Sequence, residues 1–176
     1  MNKYFSVILL ASLSLFGCTG SPQGVYPVTN FQLPAYLGKW YEIARLDHSF
    51  ERGMSSVTAT YSMRDDGGLE VLNKGFKEDA QEWSEAEGKA YFVESPDVGH
   101  LKVSFFGPFY GSYIVFELDA VDYQYAFISG MNTDYLWLLA RTPTVSDDLV
   151  EHFIQSASAL GFDTEQLIFV DQRQSQ

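Results

Sequence analysis

The sequence predicts an all-β protein, an eight-stranded antiparallel up-and-down barrel with one helix packed outside it and a short ninth strand. Three observations carry that expectation. From residue 31 onward apolar and polar residues alternate mostly with period two, as in strands buried on one face. Turn formers interrupt the alternation at short intervals and leave eight strand candidates over about 110 residues. Near the C-terminus one segment switches to helical spacing. Eight antiparallel strands suit closure, which removes sheet edges and leaves an interior able to hold one small ligand.

Residues 1–17 read as a secretory signal. Lys3 supplies the basic start, and Phe5 to Phe16 form an apolar run too short to span a bilayer. The only cysteine, Cys18, ends that run. Leu15-Phe16-Gly17-Cys18 resembles the bacterial lipobox, in which the cysteine is acylated and becomes the first residue of the mature chain; Phe16 is bulkier than the usual Ala or Ser. The alternative is an ordinary signal cut nearby, leaving a free thiol. The acyl chains of a lipoprotein, at about 0.8 kcal/mol per buried CH2, make a stable anchor where a single chain is marginal. Residues 18–30, with two prolines and several turn formers, read as the lipidated N-terminus and a linker reaching roughly 40 Å at ~3.3–3.6 Å per residue.

Removing the signal leaves about 160 residues, the size of one domain with a real core. The net charge of −12 argues against nucleic acid, whose binding needs Lys and Arg on phosphates, and against broad adhesion to anionic lipid. One cysteine allows no disulfide within the mature chain.

The strand candidates run approximately 39–46, 56–64, 69–77, 82–92, 100–106, 112–119, 122–130 and 135–141, with Asp66-Gly67-Gly68 as a hairpin turn. Ser146 can cap a helix with Asp147 and Asp148 in its first turn, running to about Leu160. Leu149, Val150, Phe153, Ile154, Ala157 and Leu160 form its apolar stripe, which packs on the barrel, and Gly161 provides the stop. Gln166 to Val170 makes the ninth strand, the domain closes at 171, and 172–176 is a tail.

Strand order and three motifs resemble the lipocalins. LGKWYEIAR (37–45) resembles the family's G-x-W opening, with Gly38 and Trp40 in place, and LWLLARTP (136–143) resembles its third motif. The resemblance implies that Arg141 lies across Trp40 and plugs the closed end, a cation–π contact worth roughly 0.5–2 kcal/mol. The second motif maps onto Val121-Asp122-Tyr123, with valine where the family has threonine, and adds Asp122 and Tyr123 to the closed end. Thr133-Asp134-Tyr135 copies the family's letters verbatim but precedes the last strand, so we set it aside. The resemblance spans residues 30–171. With KVSFFGPFYG, FDTEQLIFV and the lipobox, the chain is similar to bacterial lipocalin lipoproteins. That implies an outer-membrane protein facing the periplasm, because Thr19 is not the aspartate that retains such proteins at the inner membrane.

Alternation selects the residues that line a ligand pocket. Val57, Ala59 and Tyr61 on the second strand, Val71 on the third, and Leu101, Val103 and Phe105 on the fifth point inward. On the sixth, keeping Glu117 in water turns Ile114, Phe116 and Leu118 inward; on the eighth, Tyr135, Trp137 and Leu139 share parity with Arg141. Glu42 faces inward with Trp40 and there needs a partner or a raised pKa. Each of these apolar residues can equally be plain core.

An apolar, aromatic cavity suits an acyl chain. Sixteen carbons transferred from water are worth at most about 12 kcal/mol, and if half survives ordering the dissociation constant is some tens of micromolar. The resemblance implies fatty acids, phospholipids or lysophospholipids. No cofactor or metal is expected, since His48, His100 and His152 lack ligand spacing. With no G-x-S-x-G elbow and no phosphate-cradling loop, the chain does not read as an enzyme; an enzyme acting on an acyl lipid, with Glu42 as the sole residue set for acid–base work, is the lesser alternative. The rival is an envelope interaction protein with a filled barrel, using Phe106-Gly107-Pro108-Phe109-Tyr110 as a patch for a partner or for a second copy in a homodimer.

Overall fold

The computed structural model describes residues 19–175; the signal segment 1–17 and Cys18 lie outside the described residues. Eight strands follow in sequence: β1 Gly38–Arg45, β2 Met54–Met63, β3 Leu69–Lys77, β4 Glu82–Phe92, β5 His100–Ser104, β6 Gly111–Leu118, β7 Tyr125–Ser129 and β8 Leu136–Ala140. Each pairs antiparallel with the next, and β1 pairs with both β2 and β8, so the sheet closes on itself. A short helix, α1 (Leu33–Tyr36), precedes β1, and α2 (Asp147–Ala159) follows β8. β9, only Ile168–Phe169, pairs with β1 outside the barrel, opposite Ala44 and Arg45.

Local chemistry sets α2. The Ser146 side chain accepts from the Leu149 amide at 3.3 Å, Asp147 and Asp148 occupy the first turn, and Gly161 exits with a positive φ of 86°. Its buried face, Phe153 and Ala157, packs against Ile114, Phe127, Leu136 and Leu138 on the outside of the wall. Glu117 also faces outward, to His152 and Ser156 of α2.

The barrel has two cores. An inner one joins Phe31, Tyr36, Trp40, Tyr61, Leu69, Val71, Leu101 and Val115; the outer one lies under α2. β-bulges redistribute side chains between them. A bulge in β6, where pairing with β7 slips between Val115 and Glu117, sends Val115 and Leu118 inward while Ile114 and Phe116 point out. This corrects the uniform alternation expected there. Phe116 stacks on Phe162 instead, with ring centroids 6.2 Å apart. A second bulge in β1, between Glu42 and Ala44, turns Arg45 inward.

Both ends of the chain patch the wall. Residues 19–30 are a strap rather than the free linker expected: the Ser112 hydroxyl donates to the Gly20 carbonyl at 2.7 Å, Val25 is buried in the outer core, and the Val28 amide donates to the Val115 carbonyl at 2.8 Å. Nor does the fold stop at 171. Gln172 is buried, its amide donating to the Glu42 carbonyl at 2.7 Å and the Val57 carbonyl at 2.9 Å, where β1 and β2 part.

Candidate functional site

The closed end is built as the motifs implied. Trp40 has no exposed surface, and its indole N–H donates to the Tyr36 carbonyl at 2.8 Å. The Arg141 guanidinium lies 3.9 Å from the Trp40 ring centroid and donates to the carbonyls of Ala35, Lys39 and Tyr123. At Gly38, φ is 93°, and an added Cβ would sit 3.5 Å from Arg141, so the residue that opens β1 favours glycine. Tyr123 is buried and its hydroxyl accepts from the Gln32 amide. Asp122 is exposed and plays no part in the plug; the turn is held by Asp119, whose carboxylate accepts from the amides of Val121, Asp122 and Gln124. Three backbone N–H groups satisfy one carboxylate there, so Asp119 rather than Asp122 is the residue the turn chemistry needs. Thr133-Asp134-Tyr135 sits at the opposite, open end.

Above the plug lies a floor of tyrosines. The Tyr113 hydroxyl is 2.6 Å from that of Tyr36 and 2.8 Å from that of Tyr61. Burial pushes all three phenols up, so they stay neutral hydrogen-bonding groups at any ordinary pH.

The upper half is asymmetric. Ala59 pairs with Asn73, Asn73 with Ala86, and Gly75 with Ser84, so the β2–β4 wall presents small side chains inward. Ala86 is exposed although it shares the inward parity of buried Ala90, which means the interior is reached from the mouth. Val103, Phe105 and Trp137 pack at the edge of the inner core. Gly88 lets Phe105 lie against the backbone: an added Cβ would come within 2.8 Å of its ring. Val57 faces the same space beside Gly75, and Tyr135 stacks on Trp137 at the rim. Val71, Leu101, Leu118 and Leu139 belong to the inner core around the floor. A groove of about 380 Å³ bounded by Thr58, Thr60, Leu72, Lys74 and Trp83 lies on the outside of the barrel.

Alternation placed Glu42 inside, and the structure supplies its partner. The Arg45 Nη1 donates to the Glu42 Oε1 at 2.6 Å, while the Nη2 donates to the Glu51 carbonyl at 2.8 Å. The loop between β1 and β2 folds over one side of the mouth and brings in His48, whose Nε2 is 3.0 Å from the Glu51 Oε2, and the Trp137 indole donates to the same oxygen at 3.2 Å. Burial first, then the Glu51 charge, pushes the Glu42 carboxyl well above the usual carboxylate range, against the pull of Arg45. Burial alone would raise Glu51 too, but hydrogen bonds from His48, Glu42 and Trp137 outweigh it and hold Glu51 low. The two carboxyls are thus pushed in opposite directions, Glu42 up and Glu51 down, with Arg45 between them. Arg45, His48, Glu51, Tyr36 and Tyr113 are the site residues that alternation missed. The β1 bulge and the β1–β2 loop position Arg45, His48 and Glu51, and neither has a period to read; Tyr36 comes from α1, and Tyr113 faces inward because the β6 bulge reverses the parity taken from Glu117.

This geometry can hold an elongated, mainly apolar molecule, with polar groups at the floor and beside the mouth. A family model described as a lipocalin-like domain matches residues 31–172. Outer membrane lipoprotein Blc of Vibrio cholerae is 61% identical over 166 residues, covering 94% of this chain and 97% of that protein. The Escherichia coli K12 protein of the same name is 54% identical, covering 86% and 85%, and mouse apolipoprotein D is 30% identical, covering 81% and 78%. Among solved structures, insecticyanin from the tobacco hornworm Manduca sexta superposes with a TM-score of 0.67 at 23% identity, covering 86% of each chain.

Proposed function

The chain belongs to the lipocalin family, and from that premise we propose that it is an outer-membrane lipoprotein that binds or carries acyl lipids, fatty acids, phospholipids or lysophospholipids, without chemistry of its own. One observation carries the reading: above the floor the inward side chains of β2 to β4 are small, Ala59, Asn73 and Ala86, and Ala86 is exposed although it points inward, so the upper barrel opens to the mouth beside Phe105 and Trp137. A chain of methylenes fills such a slot without demanding polar partners, and each buried CH2 is worth up to about 0.8 kcal/mol. The Arg45–Glu42–Glu51 cluster beside the mouth suits a headgroup. The names of the Blc relatives support a lipoprotein, acylated at Cys18 in this reading, and the outer membrane as its location; the periplasmic placement of the domain is our proposal.

The test is a titration of lysolipids of increasing chain length, below their micellar concentrations, followed by tryptophan fluorescence in a Trp83→Phe background, where Trp137 at the rim responds to ligand and Trp40, fully buried in the plug, gives a constant signal. Affinity should climb with each added CH2 until the slot is full and then level off, with little dependence on salt. Affinity that follows headgroup charge and ionic strength but ignores chain length would remove the acyl-carrier reading.

A further inference from the structure

The outside of a barrel is convex, so a hollow there has to be built. The groove of about 380 Å³ on the side wall is built by differences in side-chain length. Its floor is β2, where the outward residues are Thr58 and Thr60. Each short threonine lies between longer neighbours: Tyr41 and Lys74 flank Thr58, and Lys39 and Leu72 flank Thr60. Trp83 on β4 raises the far wall, and the C-terminal tail closes one end, where the Gln174 amide donates to the Ser56 hydroxyl at 3.1 Å. That volume falls within the range of small-molecule sites, about 300–1,000 Å³.

Polar groups that the fold does not use line this groove. Thr58 is only 6% exposed, yet its hydroxyl has no hydrogen-bond partner among the described residues, and neither has that of Thr60. Each offers a donor and an acceptor to whatever fills the groove. Lys39 is the free charge. Its ammonium lies over the Tyr41 ring, 4.4 Å from the centroid, and none of the 23 acidic residues forms an ion pair with it. Lys74, across the floor, is committed: it pairs with Glu85 at 3.0 Å and lies 5.0 Å from the Trp83 ring centroid. Glu87 stands on that same side, beside Leu72, so an anion fits at the β1 edge of the groove and not at the β4 edge. Trp83 is 41% exposed and is steadied by an edge contact from Phe76, with 5.5 Å between centroids.

Together these groups match one chemistry. A pyranose ring has an apolar C–H face for an indole and hydroxyls that both donate and accept, as Thr58 and Thr60 do. A bare anion would leave Trp83 and Leu72 unused, and an acyl chain would leave the hydroxyls and Lys39 unused. We propose that the groove binds a short acidic saccharide, with a ring on the Trp83–Leu72 wall, its hydroxyls on Thr58 and Thr60, and its carboxylate or phosphate at Lys39. β1 and β4 stand three strand spacings apart, roughly 14 Å at about 4.8 Å each, a span for about two linked rings. The groove is separate from the barrel interior, so this site stands or falls independently of the acyl-lipid reading.

The three tryptophans separate the places a sugar could go. In the mature protein carrying isotope-labelled tryptophan, the indole N–H resonances of Trp40, Trp83 and Trp137 report the plug, the groove and the mouth; Trp83→Phe identifies the middle one. Titration with digalacturonate should shift the Trp83 signal saturably, with a dissociation constant on the order of 1 mM for so open a site, and leave Trp40 and Trp137 in place. Uncharged galactobiose should bind about fivefold more weakly, and Lys39→Gln should abolish that difference. Thr58→Val keeps the shape of the side chain and should weaken both sugars by about threefold or more. Lys39 is exposed, so its variant tests the site even if Thr58→Val fails to fold. A shift at Trp137 in place of Trp83 would put the sugar in the mouth and overturn the proposal, as would no shift at Trp83 at all. Inorganic phosphate reproducing the shift would reduce the groove to a plain anion site, and an acidic hexapeptide reproducing it would make the groove a protein contact; either overturns the saccharide. Equal affinity of the wild type for the two sugars would overturn the role of Lys39.

Discussion

The Arg141 guanidinium lies 3.9 Å from the centroid of the Trp40 indole, so the first residue after β8 closes over the start of β1. The same guanidinium donates to Lys39 at 2.9 Å, to Ala35 at 2.7 Å and to Tyr123 at 3.3 Å. One side chain thus ties α1, β1 and the β6–β7 turn to the end of β8. Arginine suits this place because its planar fork serves several acceptors while its face stacks on a ring.

Trp40→Ala should destabilise the protein by about 3–5 kcal/mol, as loss of a fully buried aromatic does. Arg141→Lys keeps the charge and loses the fork, at a cost of roughly 1.5–3 kcal/mol from hydrogen bonds to a charged group. Urea midpoints check both. An unchanged midpoint for Trp40→Ala would mean that the plug carries none of the stability.

The barrel was legible because most of it obeys one rule. Strand alternation and turn chemistry place β1 to β8 within a few residues, and Ser146 and Gly161 bound α2 through local hydrogen bonding and backbone freedom. What stayed hidden depends on register slips. Outward Glu117 was read correctly, but carrying its parity back to Phe116 and Ile114 assumed an unbroken ladder, and the β6 bulge breaks it. Likewise Arg45 reaches the site through the β1 bulge. The strap was missed because its prolines and turn formers read as a linker, while Val25 and Val28 make its apolar contacts without a period.

Phe116→Asp should now act on the outer core. Stacked on Phe162 and close to Phe127, Phe116 is partly buried, so the loss should be roughly 2–4 kcal/mol, somewhat below that of a fully buried ring. The folded fraction should bind lysolipids with the wild-type dependence on chain length. Loss of binding without loss of stability would place Phe116 back in the pocket.

Ala86→Trp tests the slot from the opposite side. Ala86 faces inward yet is exposed, so an indole there takes up open space without displacing packed atoms. Stability should change by less than about 1 kcal/mol, a surface-like effect, while the longest chains lose the most affinity. Equal affinity for all chain lengths before and after the change would show that the acyl chain runs elsewhere.

Glu42 gives the pH dependence its sign. Its folded pKa is raised by burial and by Glu51, so its contribution to stability is fully present below the unfolded value of about 4.3 and is lost as pH rises through the raised folded value. Glu51, held low, contributes in the opposite direction, stabilising above the unfolded value and losing that contribution as pH falls. Glu42→Gln keeps a neutral donor and acceptor in place and leaves Glu51 in both proteins. The variant should therefore gain on the wild type as pH climbs from about 4, until the wild-type Glu42 is ionised. Unfolding free energies of the two proteins across that range provide the check, and a difference that does not vary with pH would show that Glu42 is not held protonated.

The strap makes the last prediction, because a linker and a wall element respond differently to the same change. Val25 is only 2% exposed, in the outer core with Ile114, Phe153 and Ala157, and Gly24 before it takes a φ of 83° beside Leu160. Burying a valine is worth about 1.5–3 kcal/mol, so Val25→Ala should cost about 1–2 kcal/mol, and Val25→Asp more, since it adds an unpaired buried carboxylate. Tyr26, the next residue, is 77% exposed, and Tyr26→Ala should stay within about 0.5 kcal/mol of wild type. Urea midpoints on the three variants separate the cases. Three equal midpoints would mean that residues 19–30 hang free of the barrel.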